Sequence, residues 1–334
     1  MCTGIKVISK ENHCFWGRTQ EFDVPLQYVL EIIPRDYMLP CQTLCQVKYA
    51  VMGVGMREGT MLADGINEKG LSGGSFYFGN DNHYAQTEEI VQNGKKPVRG
   101  EEFFTWILTR YSSVEEIKEN LNKDIAVSNE KGALGIALPQ HAVFHDGTGS
   151  SIVVEPSIEG EFRIFDDPIG VITNQPSFDW HLKNLYNYGN LSPKINKIKD
   201  LNGTQILSSG KGSGFFGMPG DFTPQSRFIR AVFLSAYAEQ VEDEFAPMSA
   251  FHILNNFDIP KGVIETVSFG VPQHTQYTSV YDCERKILYY HNYYNRCVQK
   301  LELLEEDICK KEITMFEIQE HQEIIDARKH ILTK

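Results

Sequence analysis

The feature that most limits the fold is a rhythm of short apolar segments. Ile5–Ser9, His13–Arg18, Tyr28–Pro34, Val47–Val54 and Ser72–Phe78 are rich in β-branched, aromatic or small residues and bounded by glycine, proline or polar turns. Val143–Asp146, Ser151–Glu155, Glu161–Phe165, Tyr277–Tyr281, Ile287–Tyr294 and Val298–Leu304 repeat the pattern. Between them, Glu101–Tyr111, Val114–Leu121, Phe178–Tyr188, Thr223–Ala238 and Ser249–Asn256 have helical spacing. Ser112-Ser113 and Thr223 supply N-caps, and Pro224 takes a first helical position. Ala63–Leu71 reads as turn chemistry through Asp64-Gly65, Asn80–Lys96 as a surface loop, and Glu317–Leu332 as a charged segment compatible with a helix. No repeat and no linker interrupts the chain, so residues 1–334 are expected to form one α+β domain with sheets packed between helix layers, and 305–334 a charged extension of it.

Charge and cysteine content exclude several function classes. The net charge of −12 argues against a nucleic-acid binder, which needs a basic face. No stretch approaches the roughly 20 apolar residues of a membrane-spanning helix. The N-terminus lacks a basic region followed by an apolar run, and seven cysteines without paired spacing suit a reducing compartment, so a cytoplasmic protein is expected. Cys41 and Cys45 are four residues apart, but no second cysteine or histidine pair follows at zinc-site spacing, so no metal is expected.

One residue carries unusual chemistry. Cys2 directly follows Met1. Removal of that methionine would leave a thiol and a free α-amine on one residue: a nucleophile and, with a reference pKa of about 7.7–8.0, a base suited to neutral pH. A polar turn at Lys10-Glu11-Asn12 would fold the first two strands into a hairpin and bring Arg18 beside Cys2. Glu21 and Asp23 add carboxylates to that neighbourhood; a surface ion pair is the plainer reading of the cluster. Asn174 ends a strand at Val171-Ile172-Thr173-Asn174, where its amide could donate into a cleft or simply start a turn before Pro176. Arg227 falls in the first turn of a helix, where the helix dipole disfavours a cation. Ser208–Gly220 contains five glycines and fits neither a P-loop nor a nucleophile elbow; a substrate-lining loop and an inert turn are both open.

Together these stretches resemble a known family. Met1-Cys2-Thr3-Gly4, Phe15-Trp16-Gly17-Arg18-Thr19, Ile33-Pro34-Arg35, Asp64-Gly65-x-Asn67-Glu68-Lys69-Gly70-Leu71, Gly170-Val171-x-Thr173-Asn174-x-Pro176-x-Phe178-Asp179-Trp180-His181, Gly217-x-Pro219-Gly220-Asp221-Phe222-Thr223-Pro224-x-Ser226-Arg227-Phe228 and Thr275-x-Tyr277-Thr278-Ser279 are similar, in order, to motifs of the choloylglycine hydrolase and penicillin V acylase family. The resemblance implies an αββα sandwich, removal of Met1, a homotetramer, and hydrolysis of a small non-peptide linear amide without metal or organic cofactor. It implies Cys2 as nucleophile and base, Arg18 and Glu21 as holders of its amine and thiol, Asn174 and the Tyr77 N–H as oxyanion donors, and Arg227 as support. Glu21 stands where the family usually has Asp, with Asp23 as the fallback. Tyr77 favours a penicillin V acylase-like pocket; conjugated bile salts and N-acyl homoserine lactones are the alternatives. A non-catalytic binding protein on the same scaffold would keep Met1, and a thiol metal binder would require Cys14, Cys41 or Cys45 to converge.

Overall fold

The computed structural model describes residues 1–22, 26–57, 59, 61–79, 83–265 and 272–326. Two antiparallel sheets carry the fold. The first has six strands in the order Val171–Ile172, Cys2–Ile8, Cys14–Phe22, His274–Asp282, Ile287–Asn292, Gln299–Glu302. The second has eight, in the order Phe162–Asp166, Ser151–Pro156, Gln140–His145, Ser72–Tyr77, Leu62–Asn67, Val51–Met56, Tyr28–Ile33, Thr314–Phe316. The Pro224–Tyr237 and Ala246–Leu254 helices pack on the six-stranded sheet, and the Phe103–Arg110 and Val114–Asp124 helices on the eight-stranded one. The layers therefore run helix, sheet, sheet, helix, the expected αββα order.

Successive strand residues point to opposite faces, so a sheet covered on both sides buries both. The eight-stranded sheet shows this directly. Met52, Val54 and Val143 enter the core between the sheets, while their neighbours Val51, Ala142 and Phe144 enter the core under the helices with Phe103, Phe104 and Ile107. This is why its strands read as near-continuous apolar runs instead of a strict alternation.

Four local expectations are corrected. Asp64-Gly65 is strand interior, within Leu62–Asn67, and the turn falls at Glu68-Lys69-Gly70. The strand expected from Val47 begins at Val51. The segment expected to be loop at Asn80–Lys96 contains a helix, Thr87–Gln92, held by the burial of Ile90; residues 80–82 lie outside the described residues. Residues 317–326 are not helical, and 327–334 lie outside the described residues.

Candidate active site

The N-terminal hairpin sets the geometry. Its register pairs Cys2 with Gln20 and Gly4 with Arg18, so the side chains of residues 2, 18 and 20 share one face. Cys2 is buried at 3% exposure. Its thiol points to Gln20 Oε1 at 3.4 Å and lies 4.0 Å from the Glu21 carbonyl. Its N–H donates to Asn174 Oδ1 at 2.9 Å.

Arg18 is fully buried beneath this site. Its Nη1 donates to the carbonyls of Ser75 at 2.6 Å and Ala63 at 2.9 Å, its Nη2 donates to Gln20 Oε1, and its Cζ lies 4.3 Å from the Phe76 ring centre. A buried cation needs a counter-charge. Asp64, also fully buried, lies 3.8 Å from Arg18 Nε and accepts hydrogen bonds from Tyr277, Ser279 and Tyr281. Gly74 makes room for Arg18: a Cβ there would lie 2.6 Å from the Trp16 ring and 3.1 Å from Arg18 Nη1.

Arg227 reaches the same point from the other side. It is fully buried, not at the surface. Its Nη1 donates to the Cys2 carbonyl and to Thr3 Oγ1 at 2.9 Å, its Nη2 to Asn174 Oδ1 at 2.6 Å, and its Nε to the Phe222 carbonyl at 2.9 Å. Burial pushes its guanidinium down to about 10, against the attraction of Glu21 and Cys2, so it stays charged at neutral pH.

Asn174 is held at both ends. Its Oδ1 takes the two donors just named, and one Nδ2 hydrogen goes to the Tyr77 carbonyl at 2.8 Å. Phe78 N–H bonds the Pro139 carbonyl, so the alternation of an antiparallel ladder turns the N–H and C=O of Tyr77 the other way, toward Asn174. Two histidines brace the backbone here. His141 Nε2 lies 3.2 Å from the Thr173 carbonyl and His181 Nε2 lies 2.9 Å from the Asn174 carbonyl. Burial lowers His181 to about 4, so at neutral pH it is an uncharged donor.

Glu21 is buried at 1% exposure. Its Oε1 accepts from Thr275 Oγ1 at 2.8 Å, while its Oε2 has no hydrogen-bond partner among the described residues. Burial raises its carboxyl above the ordinary range, and the chain's amino group and Arg227 pull it back. The Met1 amine donates to the Glu21 backbone carbonyl at 2.8 Å, not to its carboxylate, and burial lowers that amine below its usual value. Asp23 lies outside the described residues.

A pocket opens over the sulfur. Leu26, Tyr28, Met56, Met61, Leu62, Leu134 and Leu138 give it an apolar lining around Cys2, Gln20 and Tyr77. No described residue of 208–220 lines it, so the glycine-rich stretch sits elsewhere. All seven cysteines are free, and no cluster of metal-ligating side chains occurs among the described residues. No helix among the described residues is long and apolar enough to cross a membrane.

The geometry thus gathers Cys2, Arg18, Glu21, Tyr77, Asn174 and Arg227 around one sulfur. Gln20, Asp64, His141, His181 and Thr275 belong to the same cluster and are not among the site residues the sequence reading names. Asp64, His181 and Thr275 lie inside the motif stretches, and Gln20 lies between Arg18 and Glu21; His141 carries no sequence signal.

A model of the linear amide C–N hydrolases, choloylglycine hydrolase family, matches residues 2–321. The chain belongs to this family. Among its relatives are a bile salt hydrolase/transferase of Clostridium perfringens, 35% identical over 95% of this chain and 96% of that protein, and a conjugated bile acid hydrolase of Lactobacillus gasseri, 31% identical over 88% and 93%. A crystal structure of the C2A mutant of the conjugated bile acid hydrolase from Clostridium perfringens superposes with a TM-score of 0.88 at 32% identity, covering 98% of this chain and 99% of that one. Penicillin V acylase from Agrobacterium tumefaciens has the same fold, with a TM-score of 0.74 at 18% identity over 94% and 90%. As a choloylglycine hydrolase family member, the chain is an enzyme that hydrolyses the C–N bond of linear amides.

Proposed function

We propose that this enzyme hydrolyses the amide of conjugated bile salts, with Cys2 as nucleophile after loss of Met1. One observation carries the reading: a buried thiol flanked by two buried guanidinium groups and a strand-end amide at the floor of an apolar pocket. The bile salt substrate rests on relatives that carry that name at 30% identity or more over nearly the whole chain. Penicillin V is the second reading, favoured by the aromatic Tyr77 at the pocket rim.

The steps follow from the groups present. The freed α-amine takes the Cys2 thiol proton, and the thiolate attacks the amide carbonyl. Negative charge then develops on oxygen. The second Nδ2 hydrogen of Asn174 and the Tyr77 N–H receive it, a single such donor being worth about 3–4 kcal/mol. The amine returns the proton to the leaving nitrogen and the C–N bond breaks. Water then attacks the thioester, releasing the acid and restoring the thiol. Glu21 Oε2, which has no partner among the described residues, is the group suited to steady the freed amine. Arg18 and Arg227 favour the thiolate, and Arg227 also fixes Asn174.

We place the chain in the cytoplasm as a single domain, which suits its seven free thiols, and as a homotetramer. Intact-mass measurement tests Met1 removal, and parallel assays with glycocholate, taurocholate, penicillin V and an N-acyl homoserine lactone test the substrate. Retention of Met1 together with turnover by Cys2→Ala would end the proposal.

A further inference from the structure

We propose that Gln20 is a further catalytic residue: its amide oxygen aims the thiol proton of Cys2 and sets the pH at which the sulfur ionises. The assignment rests on Cys2 being the nucleophile, and deepens that reading. Gln20 is the cross-strand partner of Cys2, is 8% exposed, and lines the reaction pocket. Its Oε1 lies 3.4 Å from Sγ and also accepts from Arg18 Nη2, while its Nε2 donates to the Tyr28 hydroxyl at 3.2 Å.

Arg18 decides which end of the amide meets the sulfur. A guanidinium has donors and no acceptor. Turning the amide over would set Nε2 against Arg18 Nη2, donor against donor, in a buried site. The Tyr28 hydroxyl tolerates either end, because it both donates and accepts. The amide is therefore locked with oxygen toward the thiol. The second group near the sulfur, the Glu21 carbonyl at 4.0 Å, is also an acceptor.

An acceptor stabilises S–H and does nothing for S⁻, so it raises the pH of ionisation. The two guanidinium groups act in the opposite direction. Gln20 is the counterweight: it keeps the proton on sulfur, in a fixed direction, until the α-amine takes it. An amide oxygen is too weak a base to take that proton itself, so nothing is transferred to Gln20.

The test is the pH dependence of Cys2 alkylation by iodoacetamide on the intact, processed enzyme. It is read by peptide mass spectrometry, because Cys297 and Cys309 are exposed and will also react. Gln20→Leu and Gln20→Met remove the acceptor, with thermal melting to confirm folding. The midpoint should move toward acid by about 0.5–1 unit, which is about three- to tenfold faster alkylation on the acid side. Gln20→Glu places a negative charge at the sulfur and should move it toward alkali. The kcat/KM profile should shift in the same directions, which a merely structural role would not cause. Midpoints within about 0.2 unit of wild type in folded Leu and Met variants, or a shift toward alkali, overturn the assignment while leaving Cys2 as nucleophile. A wild-type Cys2 inert to alkylation overturns both.

Discussion

Replacing Asn174 separates what this residue does for the fold from what it does for the reaction. Its side chain makes three buried hydrogen bonds: from Cys2 N–H, from the charged Arg227 Nη2, and to the Tyr77 carbonyl. Neutral bonds of this kind contribute about 1 kcal/mol each, and bonds to a charged group about 1.5–3. Asn174→Ala should therefore cost about 3.5–5 kcal/mol, a large share of the roughly 5–15 kcal/mol that stabilises a typical domain. Asn174→Asp keeps both acceptor contacts and strengthens the one to Arg227, losing only the donor to Tyr77. Its stability cost should be about 1–3 kcal/mol. In the reaction the order reverses. Both variants lack the amide hydrogen that meets the oxyanion, so kcat should fall by about 10²–10³ in each. Aspartate should be the worse of the two, since it sets a negative charge where another develops. Urea unfolding and steady-state kinetics on the same preparations read both quantities. An Asn174→Asp enzyme within tenfold of wild-type kcat would refute the oxyanion role, and equal stability of the two variants would refute the hydrogen-bond accounting.

The remaining predictions concern the neighbouring charges. Cys2→Ala should abolish amide hydrolysis with an unchanged melting temperature. Glu21→Ala should reduce turnover more than Asp23→Ala does; the opposite order would move the amine-holding role to Asp23. Asp64→Asn leaves Arg18 without its counter-charge and should cost about 3–5 kcal/mol of stability, read by denaturant unfolding. Glu31 is fully buried without a hydrogen-bond partner among the described residues, and burial raises its carboxyl from 4.5 to about 8. Between those values the folded state holds a proton that the unfolded state has lost, so stability from this group is full below about 4.5 and declines as pH rises to about 8. Glu31→Gln should remove that decline, raising the melting temperature at pH 8 far more than at pH 5. Equal gains at both pH values would contradict the assignment.

Much of this site was legible in the chain because its key residues sit in motifs with local chemistry. Cys2 follows Met1, Asn174 closely follows a strand, Val171–Ile172, and Arg227 stands in the first turn of a capped helix. That last position looked unfavourable, and only the tertiary structure shows why it is tolerated. The guanidinium leaves the helix end and gives its donors to Cys2, Thr3, Asn174 and Phe222. The errors were local rules outranked by long-range pairing. Asp64-Gly65 has turn chemistry, yet its backbone is held in a strand between Val51–Met56 and Ser72–Tyr77. Strand propensity is weak beside such pairing. The six-residue helix at Thr87–Gln92 has too few turns to show a period.

By itself, the sequence determined most of the strands and helices and the layered fold, and singled out Cys2 as the candidate nucleophile. Alternation, caps and turn residues act over a few positions, and so can be read along the chain. The tertiary structure alone decided that Asp64 neutralises Arg18, that Gln20 faces the thiol with its oxygen, and that His141 and His181 brace Asn174. The hydrogen bond from Tyr281 that helps hold Asp64 in place spans 217 positions of the chain. Such contacts depend on register and on how two sheets meet, which no local pattern encodes.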